Sequence, residues 1–479
     1  MLKLYTSVTR VYAILIAIAS ISLTGCKKFI EVDLPIDKIT SDAIFSNTST
    51  AVSALSGVYA NIGGRTSMFV GNSGISIRLG LMADELTPDN PAGYPEYTNS
   101  ITGNLGWNPW VTTYRDNIFR LNSIIEGVSR STALAADVKQ VLIGEAKFTR
   151  AFLYFYLVNL YGDVPLVLTT TLKDNASIPR TDQSLVYAQI IKDLIEAREV
   201  LANDYLNADL STISSDRVRP NKLAASALLA RVYLYTGKFQ EAEDEASKII
   251  GNSNYELISD LNGIFLINSK EAIWQLQCNP LDPDGANTQD GRYLINPRRR
   301  NPRFAVSTHI LGRFHPTDNR AIAWTNLSPS GTIIAYKYKE GWGTFTPTEY
   351  TMVLRLAEQY LIRAEARAYL NKLTGDNSAE QDLNAIRSRA GLASTTATTQ
   401  QELLDAILAE RQLEFFTEWG HRWLDLKRTG KIDEVMQQVT AEKTGSWAPY
   451  KAFLPIPYSE FQYNTALRGH QNEGYTERP

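Results

Sequence analysis

Apolar residues recur every three to four positions along much of this chain, the pattern of helices that bury one face. Tyr114, Ile118, Leu121 and Ile125 form one such stripe and predict a helix over about 110–130. Between Gly144 and Gly162 the pattern widens. Ala146, Phe148, Ala151, Phe152, Tyr154, Phe155, Leu157 and Val158 are apolar on most of the circumference, so this helix must be buried on several sides. Asp163-Val164-Pro165 ends it, because proline cannot continue the ladder. Ser41-Asp42 offers an N-cap to a helix running toward Tyr59 and stopping at Gly63-Gly64. Further helical periodicity covers 183–204, 220–236, 238–250, 350–372, 379–390 and 400–428. The stretches 66–109 and 251–350 are different. They are rich in Gly, Asn, Pro and Tyr and carry only short period-two patches, such as Ile273 to Gln277 and Ile333 to Lys339, so they predict loops with short strands. The tail from Trp447 is proline-punctuated and irregular.

A repeat lies within this pattern. Ala230, Tyr233, Gly237, Phe239, Ala242 and Ala246 place small residues where two antiparallel helices cross, with Gly237-Lys238 as the turn. That spacing matches a tetratricopeptide unit, and a generic helical hairpin also satisfies it. Ala364 and Ala368, with the helix at 379–390, repeat the theme; Ala151 and Tyr154 fit the start of another. Such hairpins bury their apolar faces only by stacking. The expected fold is therefore mostly α: a tetratricopeptide-like scaffold of helical hairpins with a loop-rich face containing short strands. It forms one composite domain over 41–479. The scaffold lies mainly in 41–62, 110–250 and 350–430, the loop-rich face in 64–109 and 251–349.

Residues 1–25 do not belong to that fold. Lys3 and Arg10 precede an apolar run from Val11 to Leu23, well short of the ~20 residues a spanning helix needs, so it reads as a secretory signal. It ends in Leu23-Thr24-Gly25-Cys26, which resembles a bacterial lipobox, so Cys26 is expected to be acylated and residues 26–40 to form a lipidated tether. The only other cysteine, Cys278, sits in an apolar run and reads as a buried strand residue. A net charge of −3 offers no basic field for nucleic acid. Two cysteines and four histidines argue against a disulfide framework or a zinc centre. The 24 Tyr and 8 Trp are the unusual feature, because a water-soluble protein must bury such rings or use them.

Five ordered motifs carry a family likeness. They are Gly144 to Phe155 with Leu160-Tyr161-Gly162-Asp163-Val164-Pro165; Arg355-Leu356-Ala357-Glu358 with Ala364-Glu365-Ala366; Leu383 to Gly391; Glu410-Arg411-Gln412-Leu413-Glu414-Phe415 with Gly420 to Arg428; and Leu454-Pro455-Ile456-Pro457 with Gln471 to Tyr475. Together they resemble the SusD/RagB family over nearly the whole chain beyond the leader. The resemblance implies a SusD-like fold and a lipoprotein anchored in the outer membrane, facing the exterior. It implies a SusC-like TonB-dependent barrel as partner, capture of glycans or in some members peptides, and a lid role over the barrel.

The motif charges themselves (Arg387, Arg389, Glu410, Glu414, Arg422, Asp425) read as buried Arg–carboxylate pairs that fix helix packing. Trp419 and Trp423 read as i,i+4 partners on one helix face. Candidate binding rings lie instead in the irregular segments: Tyr94, Tyr97, Trp107 and Trp110 in one cluster, and Tyr293, Trp324, Tyr336, Tyr338, Trp342 and Phe345 in another. Sugar C–H faces pack on flat aromatic surfaces and hydroxyls need amide, carboxylate or guanidinium partners. Any one of these rings also suits an anchor for its loop. The sequence favours Trp107, Trp324, Trp342, Tyr97 and Tyr293, with Asn108 and Arg320 as polar partners. No G-x-S-x-G, H-E-x-x-H or P-loop motif is present, and no catalytic residue, metal or cofactor is expected. Asp84-Glu85 suits a loop brace as well as an acid pair; Asp282-Pro283-Asp284-Gly285 departs from calcium-loop spacing; Arg298-Arg299-Arg300 is a local basic patch. The leading expectation is a surface receptor that captures oligosaccharide and delivers it to the barrel without catalysis. The alternative is an interaction scaffold for the transporter with peptide or other cargo.

Overall fold

A computed structural model describes residues 41–104, 106–277, 287–295, 301–343 and 345–478. The expected leader, Cys26 and its tether, Cys278, the Asp282 to Gly285 run and Arg298 to Arg300 lie outside the described residues. The chain divides into two units between Ala43 and Ile44, and the second is compact. The main helices of the second unit, in chain order and leaving aside those of one turn, are α1 (Thr48–Gly63), α2 (Ile75–Met82), α3 (Phe119–Arg130), α4 (Ala136–Tyr161), α5 (Gln183–Val200), α6 (Lys222–Tyr235), α7 (Phe239–Ile250), α8 (Gln289–Leu294), α9 (Leu356–Tyr369), α10 (Ala379–Arg389), α11 (Gln400–Glu414), α12 (His421–Arg428) and α13 (Ile432–Glu442). Short strands form three antiparallel pairs: β1 (Leu86–Pro88) with β3 (Phe304–Val306), β2 (Ala272–Leu276) with β6 (Thr351–Arg355), and β4 (Thr325–Leu327) with β5 (Ile333–Ala335).

The fold is the mostly helical, tetratricopeptide-like scaffold with a loop-rich face that the pattern predicts. α4 is its spine, buried almost all round from Gly144 to Tyr161 and stopped at Gly162. Arg150 on α4 holds Asp193 on α5 with two bonds of 2.8 Å and reaches Asn122 on α3 with a third. α6 and α7 make the hairpin expected at Gly237-Lys238, with Ala230, Ala242 and Ala246 fully buried at the crossing. α9 and α10 make the next. The bidentate pair Arg231–Glu358, at 2.6 Å and buried, ties α6 to α9, and Phe239 stacks on Tyr369 at 4.0 Å.

Several elements differ from expectation for identifiable reasons. The first predicted helix is interrupted: Ser41–Ile44 is a single helical turn, and α1 begins again at Thr48, because Asn47 is extended and its side chain accepts the Thr50 amide at 3.0 Å. The segment 66–109 is not all loop: it contains the fully buried α2. Residues 351–355 are a strand, not a helical turn. The predicted 400–428 helix is broken. Thr417, Trp419 and Gly420 all have left-handed backbones, so Trp419 does not share a helix face with Trp423, although both are buried. Tertiary contacts select this break. The Trp419 indole donates to the Met352 carbonyl at 2.6 Å and its amide to Ser76 Oγ at 2.9 Å. A Cβ at Gly420 would sit 2.3 Å from Leu79.

The loop-rich face owns a core. Leu261, Ile264, Phe265, Leu294, Phe304, Trp324, Tyr338 and Phe416 cluster together, separate from the main helical core. It meets the α9–α11 hairpins at a buried ion network that includes the motif residues Arg355, Arg389, Glu410 and Glu414. Arg355 bonds Glu271, Glu414 and Glu418 at 2.6–3.0 Å. Arg389 bonds Glu271 and Glu414. Arg320 bonds Asp318, Glu410 and Glu414, and Lys337 bonds Glu418 and the Glu414 carbonyl. The expected Arg–carboxylate bracing is thus present, but Arg422 pairs with Asp84 and Asp425 with Arg411 and Arg428. Glu85 accepts the Thr417 amide, so Asp84-Glu85 acts as the brace. Among the described residues no helix is long and apolar enough to cross a membrane, and no cluster is arranged to hold a metal ion.

Burial opposes ionisation of Glu414, yet Arg389, Arg355 and Arg320 outweigh it and hold its carboxyl well below the usual range. That stabilisation is complete above the unfolded-state value of about 4.3 and fades as pH falls through the lower folded value. Glu414→Gln should destabilise the fold by about 3–5 kcal/mol at pH 7, because it strands buried guanidinium charge. Urea unfolding should show this loss, and the difference from the parent should shrink as pH drops below about 4.

Candidate functional site

On the loop-rich face, α8 carries Tyr293 and Arg292. Thr288 caps it, its hydroxyl accepting the Gly291 amide at 3.0 Å. Asp290 faces inward and accepts the Gly71 amide at 2.6 Å and Ser76 Oγ at 3.1 Å. Burial pushes its carboxyl up to about 6. This pins the 71–73 turn against α8. Gly71 has φ +71°, and a Cβ there would lie 3.3 Å from two Tyr293 ring carbons, so the backbone itself packs on that ring. Asn287 Oδ1 accepts the Thr348 and Glu349 amides at 2.5 and 2.9 Å, which fixes the end of the loop that carries Trp342.

Trp342 and Tyr293 are both half-buried, and both rings lie within reach of the Arg292 guanidinium. The Trp342 indole N–H donates to the Arg292 carbonyl at 2.9 Å, and the Arg292 guanidinium lies 4.2 Å from its ring centroid. Arg292 and Arg303 lie 5.8 and 5.7 Å from the Tyr293 centroid. Asn72 completes the polar edge. Its Oδ1 accepts Tyr94 Oη at 3.0 Å and Arg303 Nη1 at 3.2 Å, while its carbonyl accepts Arg78 Nε at 2.9 Å. β1–β3 pairing sets Arg303, whose carbonyl accepts the Asp89 amide at 2.8 Å. Phe345 projects nearby in sequence, 64% exposed. The result is a shelf of two rings held by cation–π contacts, with amide and guanidinium groups beside them. Such a surface can stack on a flat C–H face and bond hydroxyls.

The other candidates lie elsewhere. Trp107 is buried and its indole donates to the Met68 carbonyl at 3.3 Å. Trp324 is wholly buried among Phe265, Phe416 and the Lys337 ammonium, its indole bonded to the Leu261 carbonyl at 3.1 Å. Neither presents a ring face to solvent. Arg320 is equally buried in the ion network and has no exposed donor. Asn108 is half-buried and caps the turn Pro109–Thr112 through the Val111 amide. Tyr97 is half-buried with the Lys443 ammonium 4.9 Å from its ring. Trp110 and Tyr338 are buried, while Tyr336 is half-buried. Asn72 and Arg78 were not among the sequence candidates; the Gly71-Asn72 turn was their only local signal.

Comparison with known proteins agrees with this architecture. A family model described as "SusD family" matches residues 316–475, and one described as "Starch-binding associating with outer membrane" matches residues 90–234. The chain therefore resembles the SusD/RagB family over these two stretches. SusD-like protein P25 of Formosa agariphila is 25% identical over 93% of this chain and 95% of its own. The starch-binding protein SusD of Bacteroides thetaiotaomicron is 24% identical over 69% of this chain and 72% of its own. A solved laminarin-binding SusD-like protein superposes with a TM-score of 0.71 at 23% identity, covering 89% of this chain and 99% of that one. The motif residues Arg355, Arg389, Glu410 and Glu414 are members of the buried network, so in this chain they brace the fold.

Gly71→Ala should cost about 1–2 kcal/mol from its left-handed backbone alone. The added Cβ also presses on Tyr293. Urea unfolding checks the first effect, and a crystal structure with an unmoved Tyr293 ring would contradict the second.

Proposed function

We propose that this protein captures an oligosaccharide on its loop-rich face and hands it to a SusC-like TonB-dependent barrel in the outer membrane, without cleaving it. The Trp342–Tyr293 shelf carries this reading. Two half-exposed rings, each paired with a guanidinium and flanked by Asn72 and Arg303, match the alternation of apolar C–H faces and hydroxyls on a sugar chain. The resemblance to the SusD family and the glycans named for two similar proteins, starch for one and laminarin for another, support a glycan as cargo. The leader and Cys26 support a lipid anchor with the fold outside the cell. Acylation of one cysteine by several chains gives durable attachment.

A second observation favours the barrel contact. An apolar groove of about 860 Å³ lies between the π-helical turn Thr113–Ile118, the Leu172–Asn175 turn and the Glu460–Tyr463 turn. Phe119, Leu172 and Tyr463 project from it with 49, 80 and 77% of their surface exposed. Projecting apolar side chains around a concavity suit a protein partner. If the shelf binds no sugar, this groove supports the alternative, a lid or scaffold for the transporter with peptide or other cargo.

Titration calorimetry against a panel of hexasaccharides should give heat with at least one glycan. Trp342→Ala with Tyr293→Ala should weaken that binding about tenfold or more, roughly 1.4 kcal/mol or above. Heat with peptides alone would sink the sugar reading. Separately, Leu172→Glu with Tyr463→Glu should reduce co-purification with the barrel and leave glycan heat unchanged.

A further inference from the structure

A second concavity lies on the loop-rich face, about 410 Å³ in volume. That lies within the roughly 300–1,000 Å³ of small-ligand pockets. It shares none of the residues of the Trp342 shelf. Its wall is Tyr336, half-buried, with the Lys339 ammonium 4.3 Å from the ring centroid. Lys339 Nζ donates to the Ala323 and Tyr336 carbonyls at 2.5 Å each, so the cation is fixed behind the ring. The floor is equally rigid. The Tyr336 amide donates to the Trp324 carbonyl at 2.8 Å, and the Trp324 indole holds the Leu261 carbonyl. Arg389 also reaches the cleft but is spent on Glu271 and Glu414.

The polar groups that converge here are mixed in kind. Asp260 uses Oδ1 on the Asn262 amide at 3.0 Å, leaving Oδ2 with no partner among the described residues. Asn326 uses Oδ1 on the Leu327 amide at 2.8 Å, leaving Nδ2. The Asn319 side chain and the Tyr336 hydroxyl bond no described residue. Ile322 stands at the rim, 83% exposed. An anion would meet Asp260 and a cation would meet Lys339. A neutral ligand with hydroxyls that both donate and accept, and with an apolar face for Tyr336 and Ile322, meets neither obstacle. We infer that this cleft is a second saccharide site, sized for a single sugar residue or a chain end and independent of the Trp342 shelf.

Burial pushes Lys339 down to about 8, so its ammonium persists at neutral pH. The test is saturation-transfer NMR on the lipoprotein purified in a sugar-free detergent. The probes are glucose, galactose, mannose, xylose and N-acetylglucosamine. Protein carrying Trp342→Ala with Tyr293→Ala should still saturate at least one of them. Adding Tyr336→Ala should abolish that signal. Ile322→Arg, at a side chain already in solvent, should abolish it too while leaving the fold intact. No signal from the shelf-deleted protein, or a signal that neither Tyr336→Ala nor Ile322→Arg changes, overturns the second site. The hexasaccharide heat tests the shelf, so the two failures are distinguishable.

Discussion

The rest of the structure depends on the carboxylate of Glu414. It is fully buried and shared by Arg320, Arg355 and Arg389, which arrive from a loop-face turn, a strand end and a scaffold helix. Each ion alone in that interior would carry a penalty of several kcal/mol, and the pairing offsets it only while all partners stay in place. The network therefore acts as a registry device. It allows one arrangement of the α9–α11 hairpins against the loop-rich core and disfavours others. Lys337 extends the same logic to the loop face, bonded to the Glu414 carbonyl and to Glu418 with Trp324 and Phe416 packed against it.

That registry explains how long loops can present a precise surface. Loops ordinarily move more than the elements they join. Here they fold over a core of their own, with Phe265, Phe304, Trp324 and Tyr338 inside it. α8 then rides on that core, and Asp290 and Asn287 tie its flanking turns to it. The Trp342–Tyr293 shelf and the Tyr336 cleft are the outer surface of this second core. Both put aromatic rings beside cations already fixed by backbone carbonyls or neighbouring rings, so little side-chain freedom remains to be lost on binding.

The scaffold was legible because its signals are local. The apolar circumference of α4, the small residues of the α6–α7 crossing and the turn at Gly237 each appear within one helix or hairpin. The break at Trp419 was not legible, because its causes, Met352, Ser76 and Leu79, lie far away in the chain. The candidate rings were half legible. Composition marks 251–349 as loops but does not say that they turn inward, so Trp324 and Trp107 looked available and are in fact structural. Trp342 and Tyr293 fall in one irregular stretch of the sequence, yet Asn72 joins them only through the pairing of distant segments.

Sugar resting on the Trp342–Tyr293 shelf is the central claim. A crystal structure of the protein with an oligosaccharide that gives calorimetric heat tests it most directly. The expected result is a sugar ring parallel to the Trp342 indole with hydroxyls on Asn72 or Arg303. Density for the sugar along the helical hairpins, with the shelf unchanged and bare, would contradict it.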